Sequence, residues 1–151
     1  MLTPTERIEH DLLGNLAVPG AAYYGVHTLR ALENFPITGI PISVYPNLVN
    51  ALASVKEAAA LANYDLGLLS ELKMQAIVQA CRQVRSGTAH DHFVVDVIQG
   101  GAGTSTNMNA NEVIANLALE HLGQERGDYG VLHPNEDVNL DRARTMSTRP
   151  P

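Results

Sequence analysis

The sequence is short of cysteine, and this shortage limits both its location and its chemistry. Its 151 residues include a single cysteine, Cys81. One cysteine cannot form a disulfide within the chain, so the sequence predicts a reducing, cytoplasmic location. Cys81 lies on the apolar face of a predicted helix, and we interpret it as a core residue rather than a nucleophile.

Long hydrophobic runs and an excess of basic residues are also missing. No apolar run approaches the length that spans a bilayer. The polar start of the chain, residues 1–9, lacks the core of a signal peptide. The formal net charge is −6, whereas a nucleic-acid surface would carry a basic stripe. We therefore expect neither a membrane nor a nucleic-acid partner.

What the chain does contain is the composition of one globular domain. Hydrophobic residues make up 45% of the sequence and charged residues 17%, which is typical of globular proteins. The length corresponds to one domain and is sufficient for a hydrophobic core.

Apolar periodicity predicts three helices. The first two should pack as an antiparallel pair, the first ending at Gly67 and the second running from an N-cap at Ser70 to Gly87. The third is predicted from about Thr106 to His121, with Gly123 as its stop. The predicted buried stripes of the three helices are, in order, Leu48, Leu52, Val55, Ala59, Ala62 and Leu66; Met74, Ile77, Cys81 and Val84; and Ala110, Ile114, Leu117 and His121.

The remaining segments are predicted to be extended or irregular. Residues 1–20 are expected to be lightly structured, residues 21–26 to form a short strand or extended segment, and residues 28–34 to form one or two helical turns. Residues 36–46 contain three prolines and a glycine and are predicted to be a loop. Phe93–Ile98 is predicted to be extended, without a sheet being claimed.

The most informative stretch is Gln99–Glu112, in which three glycines in four positions precede a helix pattern. Glycine permits positive φ and a close approach by another group. Hydroxyl and amide side chains follow the glycines at Thr104, Ser105, Thr106 and Asn107, where they offer donors and are predicted as N-caps. The first N–H groups of a helix are unpaired and lie at its positive end. Together these features predict a binding site for a small anion, such as a carboxylate.

The alternative for this stretch is a flexible loop before an ordinary helix, because loops favour the same residues. Asparagines at alternate positions argue against that alternative, since asparagine is a poor helix former. Asn107, Asn109 and Asn111 in the first turns of a helix indicate polar contacts within a packed environment.

Other polar side chains offer weaker candidates. His90 and His92 flank Asp91, but no cysteine or carboxylate set completes the four ligands of a metal site, so none is expected there. Arg30 and Glu33 are considered as a local surface ion pair, which would contribute little to stability. Three carboxylates are expected to be solvated or to cap backbone groups: Asp96, Glu112 and Glu120.

Three ordered motifs resemble the aspartase/fumarase superfamily. They are Gly100–Asn116, which is similar to the first signature region, Tyr23–Phe35, which is similar to the N-terminal motif, and His133–Asn139, which is similar to the segment that follows. The resemblance covers roughly residues 6–139. Within the superfamily, class II fumarases usually carry serine where Ala102 stands, so the aspartate ammonia-lyase branch is favoured.

The resemblance implies a mainly α fold. The chain would be the N-terminal domain of the aspartase/fumarase fold, with a few helices and short extended or β segments, and without the central helical bundle. It also implies reversible elimination of ammonia from L-aspartate to give fumarate, by a homotetramer that uses no metal or organic cofactor.

The resemblance also assigns candidate site residues. Gly103 and Thr104 are expected to bind substrate, Thr104 at the β-carboxylate. His133, Asn135 and Glu136 match a region that forms a second anion site in fumarase-type relatives, although those relatives usually have aspartate where Glu136 stands.

No catalytic residue is assigned, because the family's base, a serine on a mobile loop, lies beyond this chain. The chain alone is therefore expected to be inactive. The alternatives are the N-terminal region of a class II fumarase and a non-catalytic, truncated helical domain that only associates with other subunits.

The last twelve residues, 140–151, depart from the family pattern. They contain three arginines and two terminal prolines without apolar periodicity, and this composition predicts disorder. The family has Asn-Asp-Val-Tyr-Pro at this point. Codons for that run, read in a shifted frame, encode Thr-Met-Ser-Thr, which matches residues 145–148, so we hypothesise a frameshifted end after a lyase domain at 1–139.

Overall fold

A computed structural model describes residues 5–140. Residues 141–151 lie outside this range, so the predicted disorder of residues 140–151 stays a prediction. Among the described residues, no helix combines the length and the hydrophobicity needed to cross a membrane.

The described part of the chain is mainly α, as the sequence predicts, and includes one small antiparallel sheet. Strands β1 (Glu6–Asp11) and β2 (Gly14–Pro19) pair as a hairpin in which Ile8 lies opposite Ala17. The four helices are α1 (Val26–Asn34), α2 (Pro46–Asp65), α3 (Glu71–Arg85) and α4 (Thr104–His121). Short 3-10 turns occupy Ile42–Val44 and His90–His92, and a π-helical turn occupies Pro134–Val138.

Helix α4 is the centre of the fold. All of its residues from Asn109 to Leu119 are buried, because α3 packs against one side and α1, α2 and the π-helical turn pack against others. The helix begins at Thr104, two residues before the predicted start. Ala110, Ile114 and Leu117 are buried as predicted, whereas His121 is exposed at the end of the helix.

Helix α3 confirms its predicted cap and three of the four residues of its predicted stripe, whereas Met74 is only partly buried. Ser70 Oγ accepts a hydrogen bond from the Lys73 N–H at 3.3 Å, and Ile77, Cys81 and Val84 are fully buried. Burial raises the pKa of the Cys81 thiol to about 12. The thiol is therefore protonated at neutral pH, and the core role of Cys81 is confirmed.

The predicted buried stripe of α2 is wrong, although the helix itself and its end before Gly67 are confirmed. Leu48 is 40% exposed, Val55 59% and Leu66 66%. The buried face instead carries small and polar residues: Val49, Ala53, Lys56, Glu57, Ala60 and Asn63. The ammonium group of Lys56 donates to Asn107 Oδ1 at 2.7 Å and to Asn139 Oδ1 at 2.8 Å. Partners distant in sequence therefore allow a charged residue to be buried on a face that periodicity did not select.

The start of the chain is more ordered than predicted. Residues 6–19 form the β hairpin rather than a lightly structured segment, and α1 begins at Val26, so residues 21–26 contain no strand. Arg30 pairs with Asp11 of the hairpin, at 2.6 Å and 2.8 Å, rather than with Glu33. The Arg30 guanidinium lowers the pKa of Asp11 to about 2. A local reading of α1 missed this pair because Asp11 is distant in sequence.

The segment Phe93–Ile98 is extended, as predicted. It runs beside residues 40–43, where Val95 O accepts from Ile42 N–H at 2.9 Å and Ile40 O accepts from Val97 N–H at 3.0 Å. The two segments pair through an isolated bridge between Pro41 and Asp96 and do not form a named strand. This pairing directs the chain toward the glycine stretch before α4.

Candidate functional site

The glycine stretch turns directly into the start of α4. Gly101 and Gly103 have φ values of +72° and +79°, a region that strains other residues. The predicted N-cap among residues 104–107 is wrong, because the helix begins earlier: Gly103 is its N-cap and Thr104 its first residue. A glycine N-cap supplies no side chain to bond the first N–H groups of the helix. The front of α4 is therefore not closed by its own capping residue.

Two backbone N–H groups at this helix start remain open. Within residues 5–140, no group accepts a hydrogen bond from the N–H of Thr104 or Ser105. The Thr106 N–H, by contrast, donates to Gln99 Oε1 at 2.8 Å. The side chain of Thr104 is exposed beside the open groups. Two N–H groups and a hydroxyl at the positive end of a helix form a donor set suited to a carboxylate.

The loop is held from the side of α1 as well. A Cβ atom at Gly100 would lie 2.9 Å from Phe35 Cζ, so the absence of a side chain allows this ring to pack directly against the loop. Asp96, just before the loop, accepts hydrogen bonds from the N–H groups of Gly39 and Ile98 and from both donors of Thr38. Burial acts to raise the pKa of Asp96, but these hydrogen bonds outweigh it and lower the pKa to about 2.

Two of the three asparagines that the sequence marks at the start of α4 make the predicted polar contacts. Asn109, fully buried, accepts from the N–H groups of Val94 and Val95 and donates to His92 O. Asn107 accepts from Lys56, as described above. Asn111 is also fully buried, but neither its Oδ1 nor its Nδ2 atom has a hydrogen-bond partner in the described part of the chain.

Two buried carboxylates close the start of α1. Glu112, on α4, accepts hydrogen bonds from the N–H groups of Gly25, His27 and Thr28 at 2.6–3.1 Å. Glu9, on β1, accepts from Val26 N–H at 3.0 Å. Burial raises the pKa of Glu112, although the backbone donors favour its charged form. The capping role expected of the candidate carboxylates is confirmed for Glu112, whereas Glu9 was missed because nothing local marks it.

The third candidate carboxylate has a peripheral role. Glu120 accepts from Arg126 Nε at 2.9 Å and from the Tyr23 hydroxyl at 3.0 Å, and its side chain is 41% exposed. Glu120 therefore stabilises a surface contact and lies at the opposite end of α4 from the glycine loop.

The candidate second anion site lies at the start of the π-helical turn. His133 Nδ1 accepts from the N–H groups of Asn135 at 3.0 Å and Glu136 at 3.2 Å. Asp137 accepts from His133 N–H and forms an ion pair with Lys73 at 3.0 Å. An anion at this position would therefore compete with the His133 ring for the same N–H groups.

The two histidines considered as a metal-binding pair, His90 and His92, contact different groups. His90 Nε2 lies 2.6 Å from Val84 O, and His92 Nδ1 accepts from Tyr23 N–H at 3.0 Å. Burial lowers the pKa of His92. Across residues 5–140, no three or more His, Cys, Asp or Glu side chains are grouped so as to hold a metal ion.

Comparison with known proteins assigns the chain to a family. A family model described as "Lyase" matches residues 14–146, and the chain belongs to this lyase family. Aspartate ammonia-lyase from Pseudomonas canavaninivorans is 63% identical over 134 residues, which cover 89% of this chain and 28% of that protein.

Solved structures agree with this assignment. A fumarate lyase:delta crystallin from Brucella melitensis in native form shares 58% identity with a TM-score of 0.87, over 89% of this chain and 30% of that one. A class II fumarase from Schistosoma mansoni shares 39% identity with a TM-score of 0.79, over 89% of this chain and 28% of that one. The chain thus spans less than a third of the length of these relatives.

Proposed function

We propose that the chain is the N-terminal region of an aspartate ammonia-lyase and that its glycine loop binds one carboxylate of L-aspartate or fumarate. The open start of α4, with its two unpaired N–H groups and the exposed hydroxyl of Thr104, is the observation that carries the proposal. The 63% identity to an aspartate ammonia-lyase supports the choice of substrate.

The proposed chemistry explains why a carboxylate-binding loop is useful. A base removes a proton from the β-carbon of L-aspartate, the C–N bond breaks, ammonia departs, and a double bond forms to give fumarate. Negative charge develops on the carboxylate next to the deprotonated carbon, and preorganised donors stabilise that charge. The N–H groups of Thr104 and Ser105 and the Thr104 hydroxyl would supply part of this donor set, and Gly103 would leave room for the substrate.

The base and the remaining substrate ligands are proposed to come from outside this chain. The family forms each site from several subunits of a cytoplasmic tetramer, and we propose the same assembly for the complete protein. The chain alone should then show no turnover, because a donor set without a base cannot remove the β-proton.

Turnover of L-aspartate, followed by fumarate absorbance, tests this proposal. The chain alone should produce no fumarate. A chimera that joins residues 1–139 to the remaining region of the Pseudomonas canavaninivorans aspartate ammonia-lyase should produce it from L-aspartate. Clear turnover by the chain alone would contradict the division of the site, and a chimera that forms fumarate only from malate would contradict the choice of substrate.

Two other functions remain as alternatives. The 39% identity to a class II fumarase favours a malate-specific site, which the same chimera assay would detect. The exposed leucines and valine of α2 favour a non-catalytic domain that only associates with other subunits. Size exclusion with and without an intact aspartate ammonia-lyase tests that association.

The second anion site, formed by His133, Asn135 and Glu136, is a separate proposal with weaker support. Its N–H groups already donate to His133 Nδ1. A malate titration followed by NMR should shift the amide signals of Asn135 and Glu136. Unchanged signals at saturating malate would refute it.

A further inference from the structure

The glycine loop has a side chain that bridges its two ends. Gln99 precedes the three glycines, and its Oε1 accepts from Thr106 N–H at 2.8 Å on the far side of the loop. Its Nε2 donates to Thr106 Oγ1 at 2.7 Å and to Asp96 O at 3.1 Å. One side-chain amide therefore joins the chain before the loop to the third residue of α4.

The partners of this amide determine its orientation. Asp96 O can only accept a hydrogen bond, and Thr106 N–H can only donate one. The Gln99 amide therefore satisfies both only with Nε2 toward Asp96 and Oε1 toward the helix. A carboxylate of the same shape could accept from Thr106 N–H but could not donate to Asp96 O.

The position of the Gln99 oxygen also decides which N–H groups stay open. In many helices, the side chain of the N-cap residue bonds the third N–H of the helix from the front. Here Gly103 has no side chain, and Gln99 makes that bond instead. The third N–H is bonded to Gln99, while those of Thr104 and Ser105 have no acceptor within residues 5–140.

We infer that Gln99 is a positioning residue for the carboxylate-binding loop: by bonding Thr106 N–H and Asp96 O, it aims the N–H groups of Thr104 and Ser105 at the ligand. Gln99 acts through the loop and does not itself touch the carboxylate. This inference rests on the proposed function of the loop, and it assigns the geometry of that site to a residue outside the binding set.

The test uses the 151-residue chain with succinate, a dicarboxylate that cannot eliminate ammonia. In the wild type, succinate should shift the NMR amide signals of Thr104 and Ser105, and the Thr106 amide should be protected from hydrogen exchange. Gln99→Ala should reduce Thr106 protection by at least ~10-fold, since its acceptor is lost. It should weaken succinate binding by ~10-fold or more, because the donors lose their alignment.

A control variant and an isosteric variant separate positioning from a general loss of stability. Gln79 is exposed on α3, and Gln79→Ala should leave Thr106 protection and succinate affinity unchanged. Gln99→Glu should bind succinate poorly at neutral pH. The succinate affinity of this variant, measured relative to the wild type at the same pH, should recover as the pH falls toward ~4. The protonated carboxyl group then regains a hydrogen-bond donor. Gln99→Ala should not recover.

The possible results are distinguishable. Wild-type Thr104 and Ser105 signals that do not move with succinate would overturn the carboxylate site itself, and the inference with it. Normal succinate binding by Gln99→Ala would overturn the role of Gln99 alone, as would unchanged Thr106 protection in that variant. A parallel loss of affinity in Gln79→Ala would show a non-specific effect and also count against Gln99.

Discussion

The starts of α1 and α4 differ in how their first N–H groups are satisfied. At α1, four successive N–H groups, from Gly25 to Thr28, donate to the buried carboxylates of Glu9 and Glu112. At α4, Gln99 bonds one N–H, and those of Thr104 and Ser105 have no acceptor within residues 5–140. The first helix start is closed by the protein's own carboxylates, whereas we propose that the second binds a carboxylate from outside.

This difference shows what the fold can do with a helix N-terminus. The α1 start demonstrates that a carboxylate fits against successive N–H groups in this molecule. It does so in a buried setting, where Tyr129 donates to Glu9 Oε1 at 2.9 Å and Arg7 donates to Glu9 Oε2 at 2.7 Å. The closed start stabilises the fold, whereas the open start is the one that we propose binds a ligand. Changes at the two starts should therefore have opposite consequences for stability and binding.

The largest effect is expected from Glu112→Gln at the closed start. The amide keeps the size of the side chain but turns an NH₂ group toward backbone N–H donors, leaving buried groups unpaired. We expect a loss of about 3–5 kcal/mol in the free energy of unfolding, measured by urea denaturation. Glu120→Gln on the same helix is the control and should cost less than about 1 kcal/mol, since Glu120 is partly exposed. Equal losses would contradict a special role for the α1 cap.

A steric change at the same start should have the next largest effect. A Cβ atom at Gly25 would lie 2.5 Å from Glu9 Oε1 and 2.6 Å from the Tyr129 hydroxyl. Gly25→Ala should therefore force the capping carboxylate away and reduce the free energy of unfolding by about 1–3 kcal/mol. Gly130→Ala, where the nearest atom is 3.9 Å away, is the matched control. If both variants unfold at the wild-type urea midpoint, the packing at Gly25 is looser than described.

At the open start, Thr104→Val should separate binding from stability. The Thr104 side chain is exposed, so the free energy of unfolding should change by less than about 0.5 kcal/mol. Loss of a hydroxyl that bonds a charged ligand should weaken succinate binding by about 10- to 100-fold, measured by NMR titration. Thr88→Val, at another exposed threonine, should change neither quantity. A destabilised variant with normal succinate affinity would reverse the contrast between the two helix starts.

The smallest effect concerns pH, and it distinguishes Glu112 from Asp96, the carboxylate that anchors the approach to α4. Burial raises the pKa of Glu112, so the folded state binds its proton more readily than the unfolded state does. The stability that this proton contributes is therefore lost as the pH rises through the pKa of the folded state. Hydrogen bonds lower the pKa of Asp96 to about 2. Its contribution is therefore present above the unfolded pKa and lost as pH falls toward 2.

Carboxyl carbon NMR signals should show this order directly. On acidification, Glu112 should titrate above the ordinary range for glutamate, and Asp96 should stay ionised until about pH 2. Asp96→Asn should flatten the loss of stability between about pH 4 and pH 2. The reverse titration order would show that the backbone donors, and not burial, dominate at Glu112.

Local patterns in the sequence were sufficient to locate the three long helices. Ser70 and Gly67 mark helix ends that the structure confirms, because capping depends on residues only a few positions apart. The glycines and hydroxyls before and at the start of α4 predicted a site for a small anion, and that site stays a prediction. The ordered motifs also predicted the lyase family, which the comparisons confirm.

Only the tertiary structure decided which groups satisfy the buried polar atoms. Glu112 and Gly25 lie far apart in sequence, as do Arg30 and Asp11, and no local period relates them. The same limit explains α2, where Lys56 is buried because Asn107 and Asn139 reach it, while Leu48 and Leu66 face outward. Helical periodicity reports spacing along one segment, but burial depends on the partners that other segments bring to it.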